Sequence, residues 1–295
     1  MSFRGRLDDA VATLWRAGFA GAGRLFRPAP RVWSSPGGEQ IVVIAPHPDD
    51  EAIGCAGTLL RHQAAGDVVT LIFATDGSGS RALGLGPQEM AIRRRQEADQ
   101  CARVLRARSI WVGLPEGRWA LEDLRVHLRE LLLELAPSIV YAPSLIDFHP
   151  EHRQVARALA LAILDVPERS FPRIRVYQIQ VPLTSVLTNL IVDITAVTEG
   201  CTAALDSYLT QHSNMPRARR QRRYASAYYR VAEEVEEFWE LDSRRYAELH
   251  ARGMSDGGPF RGLRGRSWTD PFAYLRGRAH RGRLVAAGAG TWPSP

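Results

Sequence analysis

The chain has 295 residues, 45% of them hydrophobic and 24% charged, with a formal net charge of +6. That composition excludes a disordered, collagenous or coiled-coil protein and leaves enough apolar material for a core that needs no disulfide or metal to fold. All 38 basic residues are arginine, so Schiff-base chemistry and a phosphate-loop lysine are excluded.

The N-terminal segment, residues 1–38, places Leu7, Val11, Leu14, Trp15, Ala22, Leu25 and Phe26 at helical spacing with arginines alongside. This predicts an amphipathic helix that docks on the protein's own core, with weak contact to a membrane surface as the alternative, followed by a loop over 34–38. Asp8, Asp9 and Arg16 interrupt what a signal peptide would keep apolar. No apolar run approaches the roughly 18–20 residues of a membrane span, so the chain reads as cytoplasmic. Cys55, Cys101 and Cys201 lack CxxC spacing and read as small buried side chains in a reducing compartment.

From residue 39 an alternation begins. Apolar strands are predicted over 41–46, 68–75, 109–114 and 138–143, with helices over 54–66, 87–105, 121–135 and 152–164 between and after them. Strands over 175–181 and 189–194 follow. The expected fold class is α/β: a Rossmann-like, mostly parallel β-sheet with helices on both faces, plus C-terminal helices. Those helices are predicted over 198–212 and 218–249, the second carrying Tyr224, Tyr228, Tyr229, Phe238 and Trp239. The main domain is expected to span 39–250. Residues 251–295 form an Arg- and Gly-rich tail, expected to be poorly ordered or peripheral.

Two strands run directly into polar clusters. The first leads into Pro46-His47-Pro48-Asp49-Asp50-Glu51, the fourth into Asp147-Phe148-His149-Pro150-Glu151-His152. In an open parallel sheet ligands bind beyond the carboxyl ends of the strands, so the fold would bring together clusters about a hundred residues apart. His47 and Asp50 are three apart where a helix begins, and so are His149 and His152. Two histidines and a carboxylate make an open facial site of the kind that holds catalytic zinc or ferrous iron. A further acid and a further histidine remain for proton transfer and for stabilising an oxyanion. Capping of a helix by the acids explains one carboxylate but not three in a row. Glu51, Asp147 and Glu151 are candidates for supporting a ligand, or are simply solvated.

These motifs strongly resemble the LmbE-like (PIG-L) family of metal-dependent de-N-acetylases. Thr75-Asp76-Gly77, Arg94-Arg95-Gln96-Glu97 and Gly113-Leu114-Pro115-Glu116-Gly117 fit the same family, and the resemblance covers about residues 40–240. The resemblance implies metal ligands at His47, Asp50 and His152, a general base at Asp49 and a second catalytic histidine, protonated, at His149. It implies Zn2+, with Fe2+ as the alternative, and hydrolysis of an N-acetyl group on a glucosamine-containing small molecule or glycoconjugate. It leaves open a non-sugar or lipid-linked amide. Glu151 stands where the family commonly has aspartate, and a lysine often found near Cys201 is missing. Arg94 and Glu97 are expected to pair as a salt bridge bracing the pocket, with substrate contact as the alternative. Asp76 is expected either to touch a sugar hydroxyl or to cap a turn.

Two other classes fit less well. A dinucleotide-binding domain would need GxGxxG where this chain has acids that repel a pyrophosphate. The basic run over 216–223 raises nucleic-acid binding, but a solvated helix face is the simpler reading, and no nucleic-acid partner is expected.

Overall fold

The structure is a computed structural model that describes residues 3–212, 215–251, 274–275, 277–279 and 281–282. The elements run α1 (Phe3–Phe26), β1 (Arg31–Trp33), β2 (Gln40–Ala45), α2 (Asp50–Ala64), β3 (Val68–Thr75), α3 (Pro87–Leu105) and β4 (Arg108–Leu114). They continue with α4 (Leu121–Leu135), β5 (Ile139–Ala142), α5 (Pro150–Leu164), β6 (Arg173–Tyr177), α6 (Thr184–Leu187), β7 (Leu190–Asp193) and α7 (Thr198–Asp206). The last are α8 (Met215–Tyr229), β8 (Val235–Asp242) and α9 (Ser243–Ala251).

The strands form one sheet in the order β1-β7-β8-β6-β5-β2-β3-β4, parallel throughout except for β8. The expected mostly parallel α/β fold is therefore present. The period-2 geometry of β2 explains its unbroken apolar run. Ile41, Val43 and Ala45 join the core on one face, while Val42 and Ile44 join the core on the other. Helices α2, α3 and α7 pack together, as do α4, α5 and α9. In α2 the buried Ala52, Cys55, Ala56 and Leu59 recur at helical spacing.

The expected helix over 218–249 is corrected. Arg230 takes a left-handed φ of 60° and ends α8 at Tyr229. Residues Val235–Asp242 then form β8, which lies antiparallel between β6 and β7. Phe238 and Trp239 are thus core residues of a strand. Three smaller differences follow the chain. Residues Arg31–Trp33, expected to precede the first strand, pair with β7 as the edge strand β1. The helix expected over 198–212 ends at Asp206, and the strand expected over 175–181 ends at Tyr177. Helix α1 lies against α8, with Phe19 buried and stacked on Tyr224. Of the C-terminal tail, the described residues Tyr274, Gly277 and Arg281 are buried and helical, which corrects the peripheral reading for them; the rest of the tail lies outside the described residues. All three cysteines are free and buried. Among the described residues no helix is long and apolar enough to cross a membrane.

Connectivity positions the site. From β2 the chain moves outward to β3 and β4, then returns to place β5 on the other side of β2. The order of strands reverses at the β2–β5 junction, and a crevice opens there beyond the strand ends. Both histidine-bearing clusters leave from these two adjacent strands.

Candidate active site

Each cluster is delivered by a strand end and the helix after it. Beyond β2, α2 begins at Asp50, four residues earlier than expected, so the acids form its first turn. Asp49 caps that helix with φ 129° and ψ −24°, a conformation that costs an L-residue about 1–3 kcal/mol. Beyond β5, Pro150 starts α5 and holds His149 extended at φ −69° and ψ 124°. His152 then lies in the first turn, buried, while His149 is half-buried.

The structure brings three donor atoms together. His47 Nδ1 lies 3.2 Å from Asp50 Oδ2 and 3.2 Å from His152 Nε2, and the third side of the triangle is 3.4 Å. A tetrahedral ion with ligands at about 2.0–2.1 Å sets neighbouring ligand atoms about 3.3–3.4 Å apart, so the triangle has the dimensions of a ligand face. The imidazoles are turned to present lone pairs to it. His47 Nε2 lies 2.7 Å from Glu151 Oε2, and His152 Nδ1 lies 3.3 Å from Asp147 Oδ2. A proton on each outward nitrogen leaves the inward one bare. His149 brings a third ring, 4.8 Å from His47 and 4.7 Å from His152 between centroids. Ligand atoms of His47, His149 and His152 all fall within 4.8 Å of one another, and Glu116 and Glu151 make an overlapping group with His47 and His149.

The electrostatics favour a cation. Burial works against protonating the two inner histidines, yet the carboxylates around them prevail. Asp50 and Glu151 raise His47 to about 9, and Asp50 with Asp147 raises His152 to about 10. Burial by itself would raise Asp50, but His152 and His47 hold it far below the usual carboxylate range. A metal ion would supply the positive charge that these anions otherwise draw from protons.

Asp49 sits beside the triangle. Burial pushes its carboxyl up to about 7 against the pull of Arg94, with the Asp50 charge adding to the rise. Arg94 Nη2 donates to Asp49 Oδ1 at 2.8 Å and also to the Pro48 carbonyl. Gly77, at φ +70°, permits this; an added Cβ would lie 2.6 Å from Arg94 Nε. The expected Arg94–Glu97 bridge is corrected, since Glu97 instead accepts Thr210 N at 3.0 Å and Thr210 Oγ1 at 2.5 Å. His149 is held down to about 4 by burial and by the neighbouring histidines. Both effects disfavour the imidazolium form of His149.

The supporting residues separate cleanly. Glu51 accepts Tyr208 O–H at 2.5 Å and the Asp49 N–H at 3.2 Å, which braces the cap of α2. Asp147 accepts the His149 N–H at 2.9 Å. Glu151 accepts Gly117 N–H and Trp119 Nε1–H at 2.7 Å each, so it steers the histidine of the other motif, His47. Asp76 accepts Ser78 N–H and Glu116 N–H at 3.0 Å each and braces two loops outside the cavity.

A cavity of about 200 Å³ is lined by His47, Asp49, Asp50, Arg94, His149 and His152. Among the other lining residues, sequence reasoning gave no role to Glu116, Gln180, Gln211, Arg217 and Gln221. Glu116 was visible only as part of a motif, and the glutamines carry no local signal. The basic run over 216–223 is a solvated face only in part, with Arg220 and Arg223 exposed. Arg222 is buried on Glu236, Arg219 and Arg223 pair with Asp206 and Glu234, and Arg217 lines the cavity.

Residues 42–163 match the PIG-L family, described as GlcNAc-PI de-N-acetylase. Over that stretch the chain is similar to the PIG-L (LmbE-like) de-N-acetylases. It is 28% identical over 142 residues to a probable N-acetyl-alpha-D-glucosaminyl L-malate deacetylase 2 of Bacillus anthracis, covering 45% of this chain and 62% of that protein. It is 31% identical over 122 residues to the diacetylchitobiose deacetylase of Thermococcus kodakarensis, covering 39% of this chain and 45% of that protein. The matched stretch is thus less than two thirds of either relative. The N,N'-diacetylchitobiose deacetylase of Pyrococcus horikoshii shares the fold, with TM-score 0.61 at 22% identity over 83% of this chain and 95% of that one.

Proposed function

We propose that the protein is a metal-dependent de-N-acetylase that hydrolyses an N-acetyl amide, releasing acetate and a free amine, on a substrate containing N-acetylglucosamine. The observation that carries this is the triangle of His47 Nδ1, Asp50 Oδ2 and His152 Nε2 with the Asp49 carboxyl beside it in one cavity. The names of the two curated relatives supply the substrate class.

In this reading His47, Asp50 and His152 hold a zinc or ferrous ion. When bound, the ion supplies Lewis-acid polarisation of the acetyl carbonyl and acidifies a water. Asp49 takes a proton from the attacking water through the oxygen that Arg94 leaves free, and its raised pKa lets it return that proton to the departing nitrogen. The N–H of His149 donates to the carbonyl oxygen as negative charge builds on it. Glu151 and Asp147 keep the two inner imidazoles aimed inward.

Acetate release from a panel of N-acetylglucosaminides and simple N-acetyl amides, by zinc- or iron-loaded protein, tests the reading. Asp49→Asn should keep its metal and lose about 10²–10⁴-fold in rate. Full activity in that variant would overturn the assignment of the base. Acetate only from the non-sugar amides would overturn the substrate class.

A further inference from the structure

Part of the cavity lining comes from the far part of the chain, beyond the family-matched residues 42–163. The first turns of α8 contribute Arg217 and, one turn on, Gln221, while Gln180 comes from the segment after β6. Residues at i and i+4 share a helix face, so Arg217 and Gln221 look into the same space.

Two arginines line this cavity, and they are in different states. Arg94 is neutralised by Asp49 at 2.8 Å. Arg217 has no carboxylate within ion-pair distance among the described residues. Its one hydrogen bond there is a long one, Nη2 to the Gln180 carbonyl at 3.4 Å, and its buried Nε has no partner. The negative charge that acts on it is Asp147, whose oxygens already take the His149 and Gln180 N–H groups. Beside it, Gln180 Oε1 is also buried without a partner. A buried guanidinium N–H left unpaired carries a desolvation cost that a bound anion would remove.

We propose that Arg217, flanked by Gln180 and Gln221, is the specificity residue of an anion subsite, so that the substrate is an N-acetylated sugar unit bearing a carboxylate or phosphate close to the reacting amide. The planar guanidinium presents parallel N–H donors that match either anion, and Gln180 adds a group for a neighbouring hydroxyl. The cavity is small, which places the anion on the sugar or on its immediate substituent and not on a distant chain. This inference rests on the de-N-acetylase reading above.

The test uses the metal-loaded full chain and three probes: a neutral methyl N-acetylglucosaminide, N-acetylglucosamine 1-phosphate, and an N-acetylglucosaminide with a carboxylate-bearing aglycone. The wild type should prefer at least one anionic probe by about 10–100-fold in kcat/KM, the contribution of a charge-assisted hydrogen-bond pair. Whichever anionic probe wins separates carboxylate from phosphate. Arg217→Gln should collapse that preference through KM, with the neutral probe losing far less, and Arg217→Lys should restore part of it. An equal loss on all three probes, or no anionic preference in the wild type, would overturn the subsite. If no probe releases acetate, the reading of the reaction fails separately. Calorimetric binding of the same three probes to wild type and Arg217→Gln then decides the subsite: a preference for the anions that the variant loses supports it, and equal affinities overturn it.

Discussion

Glu151 shows how much one methylene can carry. Its Oε1 is fixed by Gly117 N–H and Trp119 Nε1–H, and its Oε2 reaches His47 Nε2, all at 2.7 Å. One carboxylate thus ties the loop after β4 to the histidine after β2 from a position on α5. A partner of this kind fixes the tautomer and the aim of a ligating histidine, and losing it typically weakens metal binding about 10–100-fold. Glu151→Gln keeps the shape but removes the charge that His47 Nε2–H meets, so metal affinity should fall by that factor while the fold stays intact. Competition against a chromophoric chelator measures it. Unchanged affinity would show that Glu151 serves the loop and not the histidine.

Element α2 carries His47's partner Asp50 at its start and a break in its middle. Cys55 leaves the helical region at φ −151° and ψ 16°, which frees backbone groups on both sides. Glu236 of β8 accepts Gly57 N–H at 3.0 Å, and Thr58 N–H and O–H at 2.8 and 2.7 Å. Arg222 of α8 donates to the Ala52 and Ile53 carbonyls at 2.9 and 3.3 Å, and pairs with Glu236 at 2.6 Å. Removing one member of such a buried pair costs about 3–5 kcal/mol, so Glu236→Gln should lose that much in urea unfolding. A simple buried pair can often be replaced by apolar residues at little cost. This one also satisfies the backbone of the break, so the Arg222→Met/Glu236→Leu double variant should stay destabilised. A double variant as stable as wild type would refute that role. The same contacts explain what the sequence concealed. His47, Asp50, His149 and His152 were legible because strand ends announce them and proline marks the helix after. Strand β8 was not, because Val235–Asp242 is rich in glutamate and follows a tyrosine-rich helix, so it reads as more helix. Glu236 and Glu237 are tolerable inside a sheet only because Arg222, Tyr229 and Gln178 reach them from elsewhere. Such partners leave no local pattern.

Across the whole molecule, two buried titratable groups far from the cavity set opposing pH slopes. His62 joins the end of α2 to the sheet, with Nδ1–H donating to Asp67 at 2.6 Å and Nε2 accepting the Tyr141 hydroxyl at 2.8 Å. Burial lowers it to about 4 despite Asp67. The unfolded chain binds this proton more tightly, so its contribution is fully present above about pH 6.5 and is lost as pH falls to about 4, some 3 kcal/mol in all. Glu237 behaves in the reverse sense. It sits under Tyr229, Gln178 and Thr188 hydroxyl and amide donors at 2.7, 2.8 and 3.3 Å, and burial raises it to about 7. The folded chain holds that proton where the unfolded chain has released it. Its contribution is present below about pH 4.5 and is lost as pH rises to about 7, again about 3 kcal/mol. Between those limits the two slopes cancel, and single variants should uncover each. Relative to wild type, Glu237→Gln should gain about 3 kcal/mol in unfolding free energy between pH 4.5 and 7, and His62→Gln should lose about as much over the same rise from pH 4 to 6.5. Differences between urea unfolding curves cancel every group common to the proteins, including those of the cavity. A flat difference for either variant would show that its group titrates alike in the folded and unfolded chain, and that the hydrogen bonds drawn to it do not hold it in one protonation state.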